Sequence, residues 1–135
     1  MTIVCAEEPG LTVEDYVAVL GDTSMRTKRP LQNAARIGRM LTGANFIVTA
    51  RDDGVILGLA RCISDHDWVC YCAELAVRER AQGCGIGRLI LEKCWDLLGP
   101  GITFLLVSEP EAKGFYERIG MEPAPAYFHA RTDRT

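Results

Sequence analysis

Gln82-Gly83-Cys84-Gly85-Ile86-Gly87-Arg88, followed at once by an apolar, helical stretch to Leu98, decides how this chain folds. A strand ending at Val77 passes through a polar turn of Arg78, Glu79, Arg80 and Ala81 into glycines that open a helix. The first N–H groups of a helix have no intrahelical partner, so they point outward from such a loop. Glycine takes positive φ and leaves no Cβ in the way of an approaching anion, while the helix start carries about half a positive charge. The stretch therefore reads as a cradle for a diphosphate. Two better-known alternatives fail on spacing. A dinucleotide fingerprint needs a third Gly or Ala where Arg88 stands, and a Walker loop needs Gly-Lys-Ser/Thr, which the chain does not have. What is left is Gln-x-x-Gly-x-Gly on Gln82, Gly85 and Gly87.

On either side of the loop the apolar pattern predicts an alternating order of elements. Upstream, residues 68–77 read as a strand. Downstream, the helix places Ile86, Leu89, Ile90, Cys94 and Leu97 on one face before Gly99 and Pro100 stop it. Residues 102–107 form a continuous apolar run of the kind buried on both sides. Ser108 with Glu111 reads as a capping box, with Pro110 harmless in the first turn, so a helix is predicted to Ile119 with Gly120 closing it. Residues 122–129 read as a last strand. Toward the amino terminus, strands are predicted at 2–6, 46–51 and 55–63, the last two joined by a hairpin turn at Asp52, Asp53 and Gly54. A further turn is predicted at Ser64, Asp65, His66 and Asp67. Helices are predicted at 12–20, entered through Thr12, and at 31–41, with a polar, basic link over 21–30. The sum is a mixed α/β order: an antiparallel meander, a strand–helix–strand crossover, then a helix and a final strand.

Composition bounds the answer. At 135 residues and 48% hydrophobic content, the chain buries one sizeable core, so a single domain over residues 1–135 is expected. Fifteen basic against eighteen acidic residues give a net charge of −3, and no basic run is long enough for a nucleic-acid footprint. No apolar stretch approaches the length of a membrane span, and the amino terminus, with Glu7 and Glu8, does not read as a leader. A cytoplasmic protein with no nucleic-acid or membrane partner is expected.

Cys5, Cys62, Cys70, Cys72, Cys84 and Cys94 lie inside apolar strands and helices rather than at turn-spaced positions, so they read as reduced thiols. Cys70 and Cys72 share a strand face and could join Cys62 across the hairpin in a metal site. No Cys-x-x-Cys or histidine completes the set, so a core role is expected and no metal. Cys84, in the glycine loop, reads as a modifiable thiol rather than a nucleophile.

The glycine loop resembles the acyl-CoA-binding motif of the GNAT superfamily of N-acetyltransferases. The likeness extends to Glu74, Leu75, Ala76 and Val77, which are similar to the end of that family's fourth strand. It also takes in residues 115–121, Phe-Tyr-Glu-Arg-Ile-Gly-Met, which are similar to its F-Y-x-x-x-G-F segment with Met in the last place. The resemblance covers about Gly58 to Met121. It implies a GNAT-like mixed, mainly antiparallel, splayed sheet flanked by helices, acetyl-CoA as co-substrate, and a homodimer. It also implies coenzyme A contacts from Leu75, Ala76, Val77, Gln82, Gly83, Cys84, Gly85, Ile86, Gly87 and Arg88, and from Ser108, Ala112 and Phe115. Ser108 stands where many relatives carry an asparagine, and Glu79-Arg80 replaces the common Pro-Glu turn.

Acetyl transfer from acetyl-CoA to the amine of a small molecule or protein needs an amine without its proton, donors for a developing oxyanion, and an acid for the leaving thiolate. The resemblance implies a backbone N–H near Leu75 or Ala76 as the donor and Tyr116 as the acid. A phenol near pKa 10 protonating a thiol near 8.5 is uphill by about 2 kcal/mol. Packing of Tyr116 beside Phe115 is the other reading. An alkyl amine and an ordinary carboxylate differ by about 6 pKa units, so burial or a relaying water must help. Glu74 is the candidate base, with a salt bridge on the open side of the sheet as the alternative. Ser24, Arg26, Lys28 and Arg29 fall where the family builds its acceptor wall; they read either as holding an anionic group of the acceptor or as solvated loop charges. A sensor that binds acyl-CoA without turnover remains the second reading.

Overall fold

The computed structural model describes residues 1–133; Arg134 and Thr135, the last two positions of the expected domain, lie outside the described residues. Strands β1 (Ile3–Glu7), β2 (Phe46–Asp52), β3 (Val55–Ser64), β4 (Val69–Val77) and β5 (Thr103–Leu106) form one open sheet in sequential order. Every pairing is antiparallel except β4 with β5, which is parallel. A parallel neighbour needs a crossover, and helix α3 (Ile86–Leu98) supplies it. Helices α1 (Val13–Leu20), α2 (Ala34–Thr42) and α4 (Lys113–Arg118) complete the set.

Local chemistry explains most boundaries. The β2–β3 hairpin turns on two successive residues at positive φ, Asp53 (50°) and Gly54 (83°), the pattern that Asp-Gly favours. Thr12 Oγ1 accepts from the Asp15 N–H to start α1, and Asn33 Oδ1 accepts from the Arg36 N–H to start α2. That second cap sets α2 to begin at Ala34 rather than at Leu31. Asp65 Oδ1 accepts from the N–H groups of Asp67, Trp68 and Val69, and these bonds hold its carboxyl down to about 2.

The sheet has two cores. On one face Ile86, Ile90 and Cys94 of α3 pack over Val48, Ala60, Cys62, Cys70 and Cys72. On the other, Tyr16, Val19 and Leu20 of α1 and Ile37 of α2 pack over Ile47, Ile56, Leu59 and Ala76. Four of the six cysteines, Cys62, Cys70, Cys72 and Cys94, are thus apolar filling of the α3 core.

One irregularity decides what β4 presents. Arg61 pairs with Glu74 but the next residue, Cys62, pairs with Cys72, so Ala73 is an extra residue on β4, a β-bulge. Before it, Cys70 and Cys72 face α3. After it, Ala76 faces α1 and α2, while Leu75 and Val77 pack toward α3. Unbroken alternation would have kept Glu74 on the face of the thiols; the bulge turns it to the other.

Four expectations need correction. Residues 102–107 are not buried on both sides: β5 is an edge strand whose outer face is uncovered, with Leu105 42% and Val107 52% exposed. Ser108 and Glu111 do not form a capping box. Ser108 Oγ donates to the Glu109 carbonyl, Glu111 is taken by Ser24, and a 3-10 turn, Pro110–Ala112, precedes a short α4. Residues 122–129 form no strand and are exposed. On α3 the buried stripe is Ile86, Ile90, Leu91 and Cys94; Leu89 and Leu97 lie at its margins, half in solvent.

Candidate active site

β4 outruns its neighbour. The parallel ladder with β5 ends at Cys72–Leu106, while β4 continues to Val77 with β3 as its only strand partner among the described residues. The two strands therefore part, and the resulting cleft opens into a cavity of about 860 Å³. Its walls come from the free limb of β4, the glycine loop, α4 with the loop before it, and the segment between α1 and α2.

The glycine loop shapes one end. Gly83 (φ 81°) and Gly85 (φ 82°) adopt a conformation that residues with side chains resist, and among the described residues, adjacent ones aside, no atom stands within 4 Å of where a Cβ would project. Gly85 caps α3 with no side-chain hydrogen bond to the first-turn N–H groups. Those donors are left for another acceptor, which fits a diphosphate. Gln82 Nε2 donates to the Val77 carbonyl at 2.9 Å and fastens the loop to β4. Gly87 has a different reason for being glycine: a Cβ there would lie 3.1 Å from Phe115 Cζ, so the small residue lets the ring close down.

Most of the residues implied by the resemblance come together. Gln82, Gly83, Gly85, Ile86, Gly87 and Arg88 line the cavity, as do Leu75 and Val77, and Ala112, Phe115 and Tyr116 across from them. Three do not reach the wall. Ala76 faces the α1/α2 core, Cys84 sits exposed at the loop tip, and the Ser108 hydroxyl is spent on Glu109. Tyr116 meets Phe115 edge-on, ring centroids 5.1 Å apart. Among the described residues its hydroxyl makes no hydrogen bond and no buried side-chain oxygen lacks a partner, so it opens to the cavity. Burial, with Cys72 and Glu109 nearby, raises its pKa, so the phenol keeps its proton at neutral pH.

Glu74 is neither solvated nor free. It is 3% exposed and accepts from Arg61 Nε (2.5 Å) and NH2 (3.0 Å), Arg29 Nε (3.0 Å) and the Tyr16 hydroxyl (2.8 Å). Burial alone would raise its carboxyl; the two guanidinium groups and the phenol outweigh that and leave it below the ordinary carboxylate range. A carboxylate so engaged is a poor proton acceptor. The alternative reading of Glu74 as a salt bridge holds in a buried form.

The basic link is also engaged. Arg26 donates to the Thr23 carbonyl, Lys28 pairs with Glu109, Arg29 with Glu74, and Ser24 Oγ donates to Glu111. Sequence reasoning missed Tyr16, Arg61, Glu109 and Glu111 as parts of this frame. Arg61 carried a signal: a charge between Leu59, Ala60 and Cys62 in a buried strand demands a counter-charge on a neighbour. Among the described residues no group of histidine, cysteine or acidic side chains is arranged to hold a metal, and no helix is long and apolar enough to cross a membrane.

Residues 42–123 match the family model of the acetyltransferase (GNAT) domain. The chain is 26% identical over 115 residues to serotonin N-acetyltransferase 2, chloroplastic, of Oryza sativa subsp. japonica; the match takes in 81% of this chain, which spans 58% of the length of that curated relative. A protein of unknown function from meticillin-resistant Staphylococcus aureus, described as a probable acetyltransferase, shares the fold with a TM-score of 0.78 at 22% identity, over 96% of this chain and 100% of its own. A GNAT-family acetyltransferase from Streptococcus pneumoniae TIGR4 does so with 0.74 at 16%, over 98% and 100%. At these identities the two solved structures speak for the fold.

Proposed function

Since the chain belongs to the GNAT acetyltransferase family, we propose that it transfers the acetyl group of acetyl-CoA to a primary amine of a small molecule or protein, by direct attack within a ternary complex. The observation that carries this reading is one cavity with three fitted parts: uncapped N–H donors at the glycine loop, a limb of β4 left unpaired on its β5 side, and a protonated Tyr116 opening on the same space.

Acetyl-CoA supplies the activated acyl group and a thiolate leaving group. The loop from Gln82 to Arg88 holds the diphosphate through main-chain donors. The main chain at Leu75, on the limb that β5 leaves unpaired, stabilises negative charge developing on the acetyl oxygen. Nitrogen bonds to the acetyl carbon as the carbon–sulfur bond breaks, and sulfur takes the Tyr116 proton. Starting from the ammonium form, nitrogen loses two protons through water: one passes to solvent before the attack, and the other returns to the Tyr116 phenolate after it. An ordinary carboxylate is about 6 pKa units from an alkyl amine, and Glu74, its carboxyl lowered by Arg61, Arg29 and Tyr16, is a weaker base still. We assign it to holding β4, and deprotonation of the amine to water. A single domain, a homodimer and a cytoplasmic location accompany this reading.

The test is thiol release from acetyl-CoA across a panel of amines, with calorimetry for CoA binding. Release that depends on both an amine and Tyr116 supports the enzyme; stoichiometric binding without release from any amine supports the sensor.

A further inference from the structure

Residues 23–29 span the gap between the parted strands and are fastened on both sides of it. On the β4 side, Arg29 NH2 donates to the Ala73 carbonyl at 2.9 Å and Arg29 Nε to Glu74 Oε2 at 3.0 Å. On the far side, Ser24 Oγ donates to Glu111 Oε1 at 2.7 Å and Lys28 Nζ pairs with Glu109. Ser24, Arg29, Ala73, Glu74, Glu109 and Glu111 all line the cavity.

The β4 attachment falls where the sheet is weakest. Ala73 is the bulge residue, and it is the first position beyond the ladder with β5. A limb bonded on one side only opens more readily than a strand held on both. A guanidinium fork can serve two acceptors at fixed separation, here a carbonyl and the carboxylate of the next residue, which an ammonium cannot do in the same geometry.

We propose that Arg29 is a positioning residue for acetyl transfer: it stands in for the missing strand partner at Ala73 and Glu74, and so keeps the free limb of β4 aimed into the cavity. This rests on the acetyltransferase reading above. Stability alone does not require it, because Arg61 independently binds both oxygens of Glu74. Nor does the diphosphate end, which the glycine loop forms from its own main chain.

The experiment compares wild type, Arg29→Lys and Arg29→Ala by steady-state kinetics, CoA calorimetry and amide hydrogen exchange over residues 73–77, with guanidinium added back to Arg29→Ala. Misplacing a reacting group by an ångström costs about 10²-fold. Expected are a kcat lowered by about 10–10²-fold in Arg29→Ala with unchanged CoA affinity, faster exchange at 73–77, partial recovery with guanidinium, and an intermediate Arg29→Lys. Unchanged kcat, unchanged exchange, or loss of CoA affinity in step with kcat overturns the proposal. Wild type that binds CoA but releases no thiol with any amine removes the acetyltransferase reading, and Arg29's role with it. An active wild type with an equally active Arg29→Ala removes Arg29 alone.

Discussion

The two ends of the cavity are built by different means. At the glycine loop, positive φ at Gly83 and Gly85 and the uncapped start of α3 are properties of consecutive positions in one stretch. At the other end, side chains meet from far apart: Ser24 with Glu111 across 87 positions, Lys28 with Glu109 across 81, and Tyr16 with Glu74 across 58. A main-chain cradle is sensitive to conformation and indifferent to most side-chain chemistry. A side-chain frame has the reverse sensitivities. Substitutions at the two ends should therefore separate, the first acting on coenzyme affinity and the second on turnover and stability.

Tyr116 stands between the ends, and its loss is expected to be the largest effect. Tyr116→Phe lowers kcat by about 10²–10⁴-fold, the usual contribution of a positioned acid, while calorimetric CoA affinity stays as it was; an unaltered kcat would return Tyr116 to a packing role. At the ion-pair end, Glu74→Gln leaves two arginines without their counter-charge and is expected to cost about 3–5 kcal/mol in urea unfolding. The pH dependence follows in sign. Glu74 is held below its unfolded value of about 4.3, so its stabilisation is complete above that pH and fades as the pH falls through the lower folded value. Wild-type melting temperature should drop on acidification below about pH 4, and the Gln variant should respond less there.

At the glycine-loop end, Gly85→Val forces a β-branched residue into φ 82° and is expected to weaken CoA binding about tenfold, through roughly 1–2 kcal/mol of strain. The acceptor KM should not change; if it rises in proportion, the two ends are not separable. The smallest effect belongs to Asp65→Asn, in a turn remote from both. Its carboxyl, held at about 2 by three N–H groups, contributes stability that is lost only as the pH falls from about 4 toward that value. At neutral pH, assays should find kcat and CoA affinity unaltered.

The same contrast governs what could be read in advance. The loop was legible because the residues that make it are neighbours in the chain, and glycine spacing before an apolar helix has few physical interpretations. The order of β1 to β5 was legible for a similar reason, since Asp53-Gly54 and the Asp65 turn are local devices; a last strand at 122–129 was not there to be read. The ion-pair end was not, since nothing within reach of Glu74 in sequence announces Tyr16 or Arg29. Residues 102–107 misled because an apolar run indicates burial without saying by what. The sheet ends at β5, so the alternate residues of that run have no layer above them. Ser108 and Glu111 misled because a capping box competes with any partner brought in from elsewhere, and Ser24 outcompeted it for Glu111.

Ala73 has a consequence for how this site can change over generations. Which face a strand residue serves is a matter of odd or even count, and Ala73 adds one to the tally. Its presence, rather than its methyl group, sends Glu74 toward the arginines and Leu75 toward the thiols. Replacing letters can tune the chemistry on either side, but no replacement can trade the two sides over. Only a change in length can do that, and it would invert Glu74, Leu75, Ala76 and Val77 in a single event.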